Sequence, residues 1–244
     1  MGRMTEAVKH LLIINVILFF ATQLYGDQMY QWLSLWFPKN PNFEWWQVVT
    51  HMFMHGNLMH ILFNMYALWA FGTPLERMWG KNKFLFFYFS AGLGSAALHT
   101  GVNYFLFNEG MSALEAAGIA RTQVLDIIAN GQYSPGWYDI VGKSTVDSML
   151  MAFNTPAVGA SGAIYGILVA FAFMYSEAKL MLIFLPVPIK AKYFVPILIA
   201  VDLIFGIGNV NTGVAHFAHI GGALIGFIMM WYWKKNQFNN NRWD

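Results

Sequence analysis

The sequence predicts an all-α polytopic membrane protein with six transmembrane helices, and three observations carry that prediction. Of its 244 residues 57% are hydrophobic, 18% aromatic and 11% charged, where roughly a quarter of an ordinary soluble domain is charged. Six apolar runs, at about 10–25, 51–71, 84–107, 160–176, 194–209 and 213–233, approach or exceed the roughly 20 residues that a helix needs to cross the hydrocarbon core. With both termini placed inside, the inner segments hold Arg3, Lys9, Arg77, Lys81, Lys83, Lys179, Lys190, Lys192, Lys234, Lys235 and Arg242, eleven of the fourteen cationic residues. The outer segments keep Lys39, Arg121 and Lys143, an asymmetry that fixes orientation because lysine and arginine favour cytoplasmic loops.

Taken in order, the first run lacks a small-x-small cleavage site and continues into Tyr25, Gly26 and Asp27, so it is expected to remain as a spanning helix. Segment 26–50 carries Trp32, Trp36, Phe37 and Trp45-Trp46 with few charges and is expected to lie partly in the membrane interface. Trp45, Trp46, Trp79, Trp231 and Trp233 fall near span ends, as an interfacial aromatic belt has them. The Phe-rich stretch 84–89 reads as lipid-facing or core surface. An outer-face insertion follows at about 108–157. In it Ser112-Ala113-Leu114-Glu115 has the pattern of a capping box opening a helix over 114–129, which Asn130-Gly131 ends. Ser144-Thr145-Val146-Asp147 reads as the cap of a shorter helix that stops before Pro156. The insertion is too short to bury much core of its own, so residues 1–244 form one membrane domain. It joins the third span to the fourth, which makes it a candidate substrate-docking or lid element. The glycines of 204–213 mark a mobile cap, and an Asn-rich tail occupies 236–241.

The chain has no cysteine, which excludes disulfides, thiolate nucleophiles and cysteine-ligated metals. The net charge of +2 gives no reason to expect a nucleic-acid partner. What carries chemistry is Ser161, in Gly159-Ala160-Ser161-Gly162. Taken alone, a serine among glycines in a membrane helix is a packing residue. Gly162 and Gly166 form a Gly-x-x-x-Gly face that admits a close helix neighbour. The last span offers one: Gly222 and Gly226 stand at i+3 and i+7 from His219, on nearly the same face. Packing the two faces brings Ser161 and His219 within hydrogen-bond reach, where the histidine can act as general base for a serine nucleophile. The oxyanion then formed needs donors. His60 and Asn64, spaced i, i+4 on the second span, share a face, and the Ser161 N–H is unpaired because it lies in the first turn of its helix.

His51, His55 and His60 raise the question of a metal, yet no glutamate completes a His-Glu-x-x-His pattern; no metal and no cofactor are expected. A lone Asp202 in the fifth span costs several kcal/mol in hydrocarbon unless it is protonated or faces a wet interior. An aspartyl mechanism needs a second membrane acid, and Gly206-Ile207-Gly208-Asn209 lacks one. Asp202 is therefore expected to be structural and outside the serine–histidine pair.

Three motifs in order, Gly159-Ala160-Ser161-Gly162, His60-x-x-x-Asn64 preceded by His55, and Ala218-His219-x-x-Gly222-x-x-x-Gly226, resemble those of the rhomboid family of intramembrane serine proteases. The resemblance covers about 10–25 and 45–233, apart from the insertion. It implies a Ser161–His219 dyad without a catalytic acid, with Tyr165 packing on the His219 ring in place of an orienting carboxylate. It also implies an oxyanion hole of His60, Asn64 and Ser161, and a structural motif at Glu76-Arg77. The family usually has Trp-Arg in the first outer loop, where this chain has Trp46-Gln47. The implied activity is cleavage of transmembrane protein substrates near the outer membrane face, in a water-filled cavity lined by His51, His55, Gln47 and Asn64. The expected location is the bilayer of a bacterial plasma (inner) membrane, with both termini cytoplasmic. A rhomboid-like pseudoprotease, which binds transmembrane helices without cutting them, is the alternative; such a protein loses the serine or the histidine, and this chain keeps both. A channel or transporter reading lacks repeated halves.

Overall fold

A computed structural model describes residues 3–182, 185–208 and 213–236. Helix α1 (Glu6–Tyr25) is followed by the short α2 (Asp27–Leu33) and α3 (Gln47–Thr50), then a 3-10 turn at His51–Phe53. The second rod begins at α4 (Leu58–Ala67), continues through a π-helical turn at Leu68–Gly72 and ends as α5 (Thr73–Trp79). Asn57 caps α4 by accepting from the His60 N–H at 2.8 Å, which satisfies one of the unpaired donors at a helix start. The expected second run thus enters its helix late: His51 and His55 precede the cap and lie off the helix that carries His60 and Asn64.

Helix α6 (Lys81–Ala116) has 36 residues, about 54 Å at about 1.5 Å per residue, against a hydrocarbon core of about 30 Å. Its far end enters the insertion, where α7 (Arg121–Ala129), α8 (Gly136–Val141) and α9 (Lys143–Asn154) pack beside it. Ser112 and Glu115 therefore sit inside the last turns of α6 instead of opening a new helix. Likewise Ser144 lies in the first turn of α9, one residue past its start. The break falls at Gly118 and a further turn at Gly131, both with positive φ. The insertion also buries more than its length promises: Phe107, Met111, Val124, Trp137, Met149 and Phe153 form a core with Phe37 from the loop between α2 and α3.

Helix α10 (Ser161–Met174) leads into an antiparallel hairpin, β1 (Lys179–Leu182) and β2 (Leu185–Lys190), with Lys179 opposite Lys190. This small sheet is a departure from the all-α expectation. Helices α11 (Ala191–Ile207) and α12 (His216–Asn236) complete the described residues. Residues 209–212 of the expected cap at 204–213 lie outside the described residues; 204–207 continue α11.

The main core gathers Ile61, Leu68, Phe84, Phe87, Ile167 and Ala223 from α4, α6, α10, α12 and the π turn. In the Phe-rich stretch Phe84 and Phe87 are fully buried while Phe86 is exposed, so one face serves the core and one the surroundings. Large apolar side chains such as Ile17, Phe20, Ile204 and Phe227 remain exposed, as a surface facing hydrocarbon does. Among the described residues one helix, Glu6–Tyr25, is long and apolar enough to cross a membrane on length and composition alone. The other rods are shorter, as α10 and α11 are, or carry polar groups turned to the interior, as α12 does with its histidines.

Glu76-Arg77 has the structural place expected of it. The Glu76 carboxylate accepts from the N–H groups of Ala7 and Val8 at 2.8 and 2.9 Å and from the Thr5 hydroxyl at 2.5 Å, so α5 caps the N-terminus of α1 with a buried negative charge. Arg77 donates to the Arg3 carbonyl.

Candidate active site

The two glycine faces meet. A Cβ placed on Gly222 would lie 1.8 Å from the Gly162 carbonyl oxygen, and one on Gly226 would lie 2.7 Å from the Gly166 Cα. Backbone thus touches backbone between α10 and α12, and no larger residue fits at Gly222. On the other side of α10, a Cβ on Gly162 would meet the Ser95 hydroxyl and one on Gly166 would meet Ala91, so α6 closes on the same helix.

This contact brings the Ser161 Oγ to 2.9 Å from His219 Nε2, across 58 residues of sequence. The Tyr165 ring stacks on the His219 imidazole with centroids 4.2 Å apart and planes 13° from parallel. Ser161, Tyr165, His219, His60 and Asn64 all line one cavity of about 720 Å³. His51 lines it as well; His55 and Gln47, also expected there, do not. Gln47 is fully buried at the start of α3. Its amide donates to the Asn42 and Gln31 carbonyls at 2.8 and 2.9 Å and accepts from the Trp36 N–H at 3.3 Å. The glutamine of Trp46-Gln47 therefore ties the loop together from within. His55 is buried behind His60, their rings edge to face at 4.9 Å.

The His60 ring is oriented by its neighbours. Its Nδ1 accepts from the Gly56 N–H at 3.4 Å, which leaves the proton on Nε2. That Nε2 edge faces Gly159: a Cβ there would lie 2.9 Å from His60 Nε2 and 3.5 Å from Ser161 Oγ. Gly159 has φ of 125°, a conformation open to glycine alone, so backbone and space agree on the residue. Asn64 donates one amide N–H to the His60 carbonyl at 2.9 Å and, with two such hydrogens, keeps a second. The Ser161 N–H, at the first position of α10, has no acceptor within its helix.

Asp202 is where the structure departs from expectation. It stands in contact with the pair, not apart from it: Oδ1 accepts from His219 Nδ1 at 3.1 Å and from His216 Nδ1 at 2.5 Å, while Oδ2 accepts from the Tyr165 hydroxyl. Tyr165 thus packs on the imidazole as expected, but beside a carboxylate and not in place of one. Two titratable residues of the cavity wall have no place in the sequence analysis, His99 on α6 and His216 on α12. His216 was legible in principle, since it lies at i−3 from His219 on the same face. His99, held at 3.1 Å by Asn103 one turn on, had no motif to mark it.

Comparison with known proteins identifies the family. The family model described as Rhomboid domain matches residues 42–236. The chain is 31% identical over 209 residues to rhomboid protease AarA of Providencia stuartii, a match covering 84% of this chain and 59% of that one. It is 24% identical over 220 residues to rhomboid protease GluP of Bacillus subtilis (strain 168), covering 88% of this chain and 32% of that one. The chain spans less than two thirds of the length of these relatives. With the family model covering most of its length, the chain belongs to the rhomboid family and is an integral, polytopic, largely α-helical membrane protein.

Proposed function

We propose that the chain is an intramembrane serine endopeptidase that cleaves transmembrane protein substrates near the outer membrane face. The observation that carries this reading is the 2.9 Å contact between Ser161 Oγ and His219 Nε2 on the wall of the cavity. The Ser161 oxygen attacks the scissile carbonyl as its proton passes to His219 Nε2, and the carbonyl electron pair moves to the oxygen. His60 Nε2–H, the second Asn64 N–H and the Ser161 N–H are the donors for that oxyanion. His219 then delivers its proton to the leaving amine as the C–N bond breaks, leaving an acyl-Ser161 that water hydrolyses by the reverse proton route. A peptide bond held in a helix is closed to attack, so substrates are transmembrane helices that unwind locally near the outer surface, and helix-breaking residues there aid cleavage.

The rest of the reading follows from charge and length. On this reading six spans, with α6 and the α4–α5 rod among them, leave both termini on one side, the excess of lysine and arginine in the inner segments makes that side the cytoplasm, and the bacterial relatives favour an inner membrane. The insertion at 108–157 then lies on the outer side, beside the cavity mouth, as a docking element for substrate.

The test is cleavage of a model transmembrane substrate by the purified protein in liposomes, together with labelling by a fluorophosphonate and mapping of the adduct by mass spectrometry. Wild type is expected to cleave and to carry the adduct on Ser161, and Ser161→Ala to do neither. Cleavage that survives in Ser161→Ala overturns the nucleophile. A wild type that binds varied transmembrane substrates but cuts none of them favours the pseudoprotease.

A further inference from the structure

Asp202 is 5% exposed and lies in the apolar stretch 194–207 of α11, where an unpaired carboxylate is costly. Its two oxygens are not left unpaired. Donors reach them from two other helices, His216 and His219 from α12 and Tyr165 from α10. A carboxylate that served packing alone would be satisfied by any three donors. Here one donor is the nitrogen of His219 opposite the one facing Ser161, and the chain Oγ, Nε2, Nδ1, Oδ1 runs unbroken through 2.9 and 3.1 Å contacts.

We infer that Asp202 is a positioning residue for the His219 base, so that this rhomboid works as a serine–histidine–aspartate relay of contacts and not as a bare dyad. The inference rests on Ser161 and His219 being nucleophile and base. An ionised carboxylate only accepts hydrogen bonds, so it requires the His219 proton to be on Nδ1 and leaves the Nε2 lone pair aimed at the Ser161 hydroxyl. When Nε2 takes the serine proton, the imidazolium forms against a fixed negative charge in a site of low dielectric, which lowers the barrier; the carboxylate itself stays unprotonated throughout. Tyr165 acts twice, its ring fixing the plane of the imidazole and its hydroxyl fixing the carboxylate. Among the described residues the other titratable groups around the imidazole are His60 from α4, His99 from α6 and His216 from α12, and the contact recorded at His219 Nδ1 is the one to Asp202.

The test uses three variants of the full chain with the liposome assay. Asp202→Asn, nearly the same size, is expected to lower kcat by about 10²- to 10⁴-fold with KM within twofold, and to slow fluorophosphonate labelling of Ser161 in proportion. Asp202→Glu restores a carboxylate and is expected to recover at least tenfold of that loss. Tyr165→Phe keeps the ring and frees Oδ2, with an expected several-fold fall in kcat at unchanged KM; it decides the matter if Asp202→Asn does not fold. A folded Asp202→Asn with the kcat of wild type overturns the inference, as does a Tyr165→Phe with wild-type kcat where Asp202→Asn is lost. In either case a dead Ser161→Ala leaves the nucleophile standing, whereas a live one removes the parent reading.

Discussion

At the scale of single residues, the site depends on atoms that are missing. Gly222 has no side chain, and the Gly162 carbonyl occupies the place where one would be. Both partners there are backbone, so neither can turn aside, and an added methyl must push α12 away from α10. Gly222→Ala is expected to destabilise the fold by about 2–3 kcal/mol, the upper part of the usual range for overpacking, and to reduce cleavage further because the same shift draws His219 away from Ser161. Gly101→Ala is the control: nothing lies within 4 Å of a Cβ there, and replacing a glycine inside a helix stabilises by about 0.5–1 kcal/mol. Unfolding in detergent checks the pair of signs. Equal stability in the two variants would mean that the glycine contact does not set the helix spacing. This contact was legible in sequence because glycine repeats at i, i+4 mark a face whatever the fold. The Asp202 contact was not, because it depends on the rotation of α11 about its axis, which α11 alone does not encode.

At the scale of elements, local signals failed where the surroundings overruled them. Ser112-Ala113-Leu114-Glu115 has the letters of a capping box, but such a pattern marks a helix start only if the chain before it is not already helical, and α6 runs straight through. The hairpin of β1 and β2 is hidden for a different reason: Leu185, Val187 and Ile189 alternate, but the two prolines between them argue against a strand. Its antiparallel ladder carries a cluster of charge at the base. Glu177 accepts from Lys190 at 2.6 Å and Lys192 at 2.5 Å, and the hydrogen bonds from Lys190 and then Lys192 hold its carboxyl down from 4.5 to about 2. A value lower in the folded than in the unfolded chain adds stability that is fully present above pH 4.5 and lost as the pH falls through about 2. Being exposed, the cluster is screened and contributes little. Glu177→Gln is therefore expected to melt slightly below wild type at pH 7, with the gap closing between pH 4.5 and 2. A gap of constant size across that window would assign the effect to packing and not to charge.

At the scale of the whole molecule, α6 is shared by two cores. Its first half belongs to the main core around Phe84 and Phe87, and its end to the smaller core around Phe107 and Met111. The chain then passes from the smaller core back to Ser161, and at that point it is clamped. Leu35 and Ala157 exchange two backbone hydrogen bonds of 2.9 Å, and Asn40 donates to the Phe153 carbonyl at 2.9 Å. The clamp holds the last residues of the insertion just before the start of α10, so loosening the rest of the insertion should stop there. Trp137, 3% exposed in the smaller core, is the residue to remove. Trp137→Ala takes away about 3–5 kcal/mol of local packing, enough to open α7 and α8 often, while the main core and its glycine contact are untouched. Local opening of one cooperative unit without the other is the expected pattern for a part with its own core. Limited proteolysis should therefore cut faster at the turns holding Gly118, Gly131 and Gly142, whereas fluorophosphonate labelling of Ser161 should keep its rate within about twofold. If labelling fell along with protease resistance, the clamp would not insulate the site, and the insertion would be part of what holds Ser161 against His219.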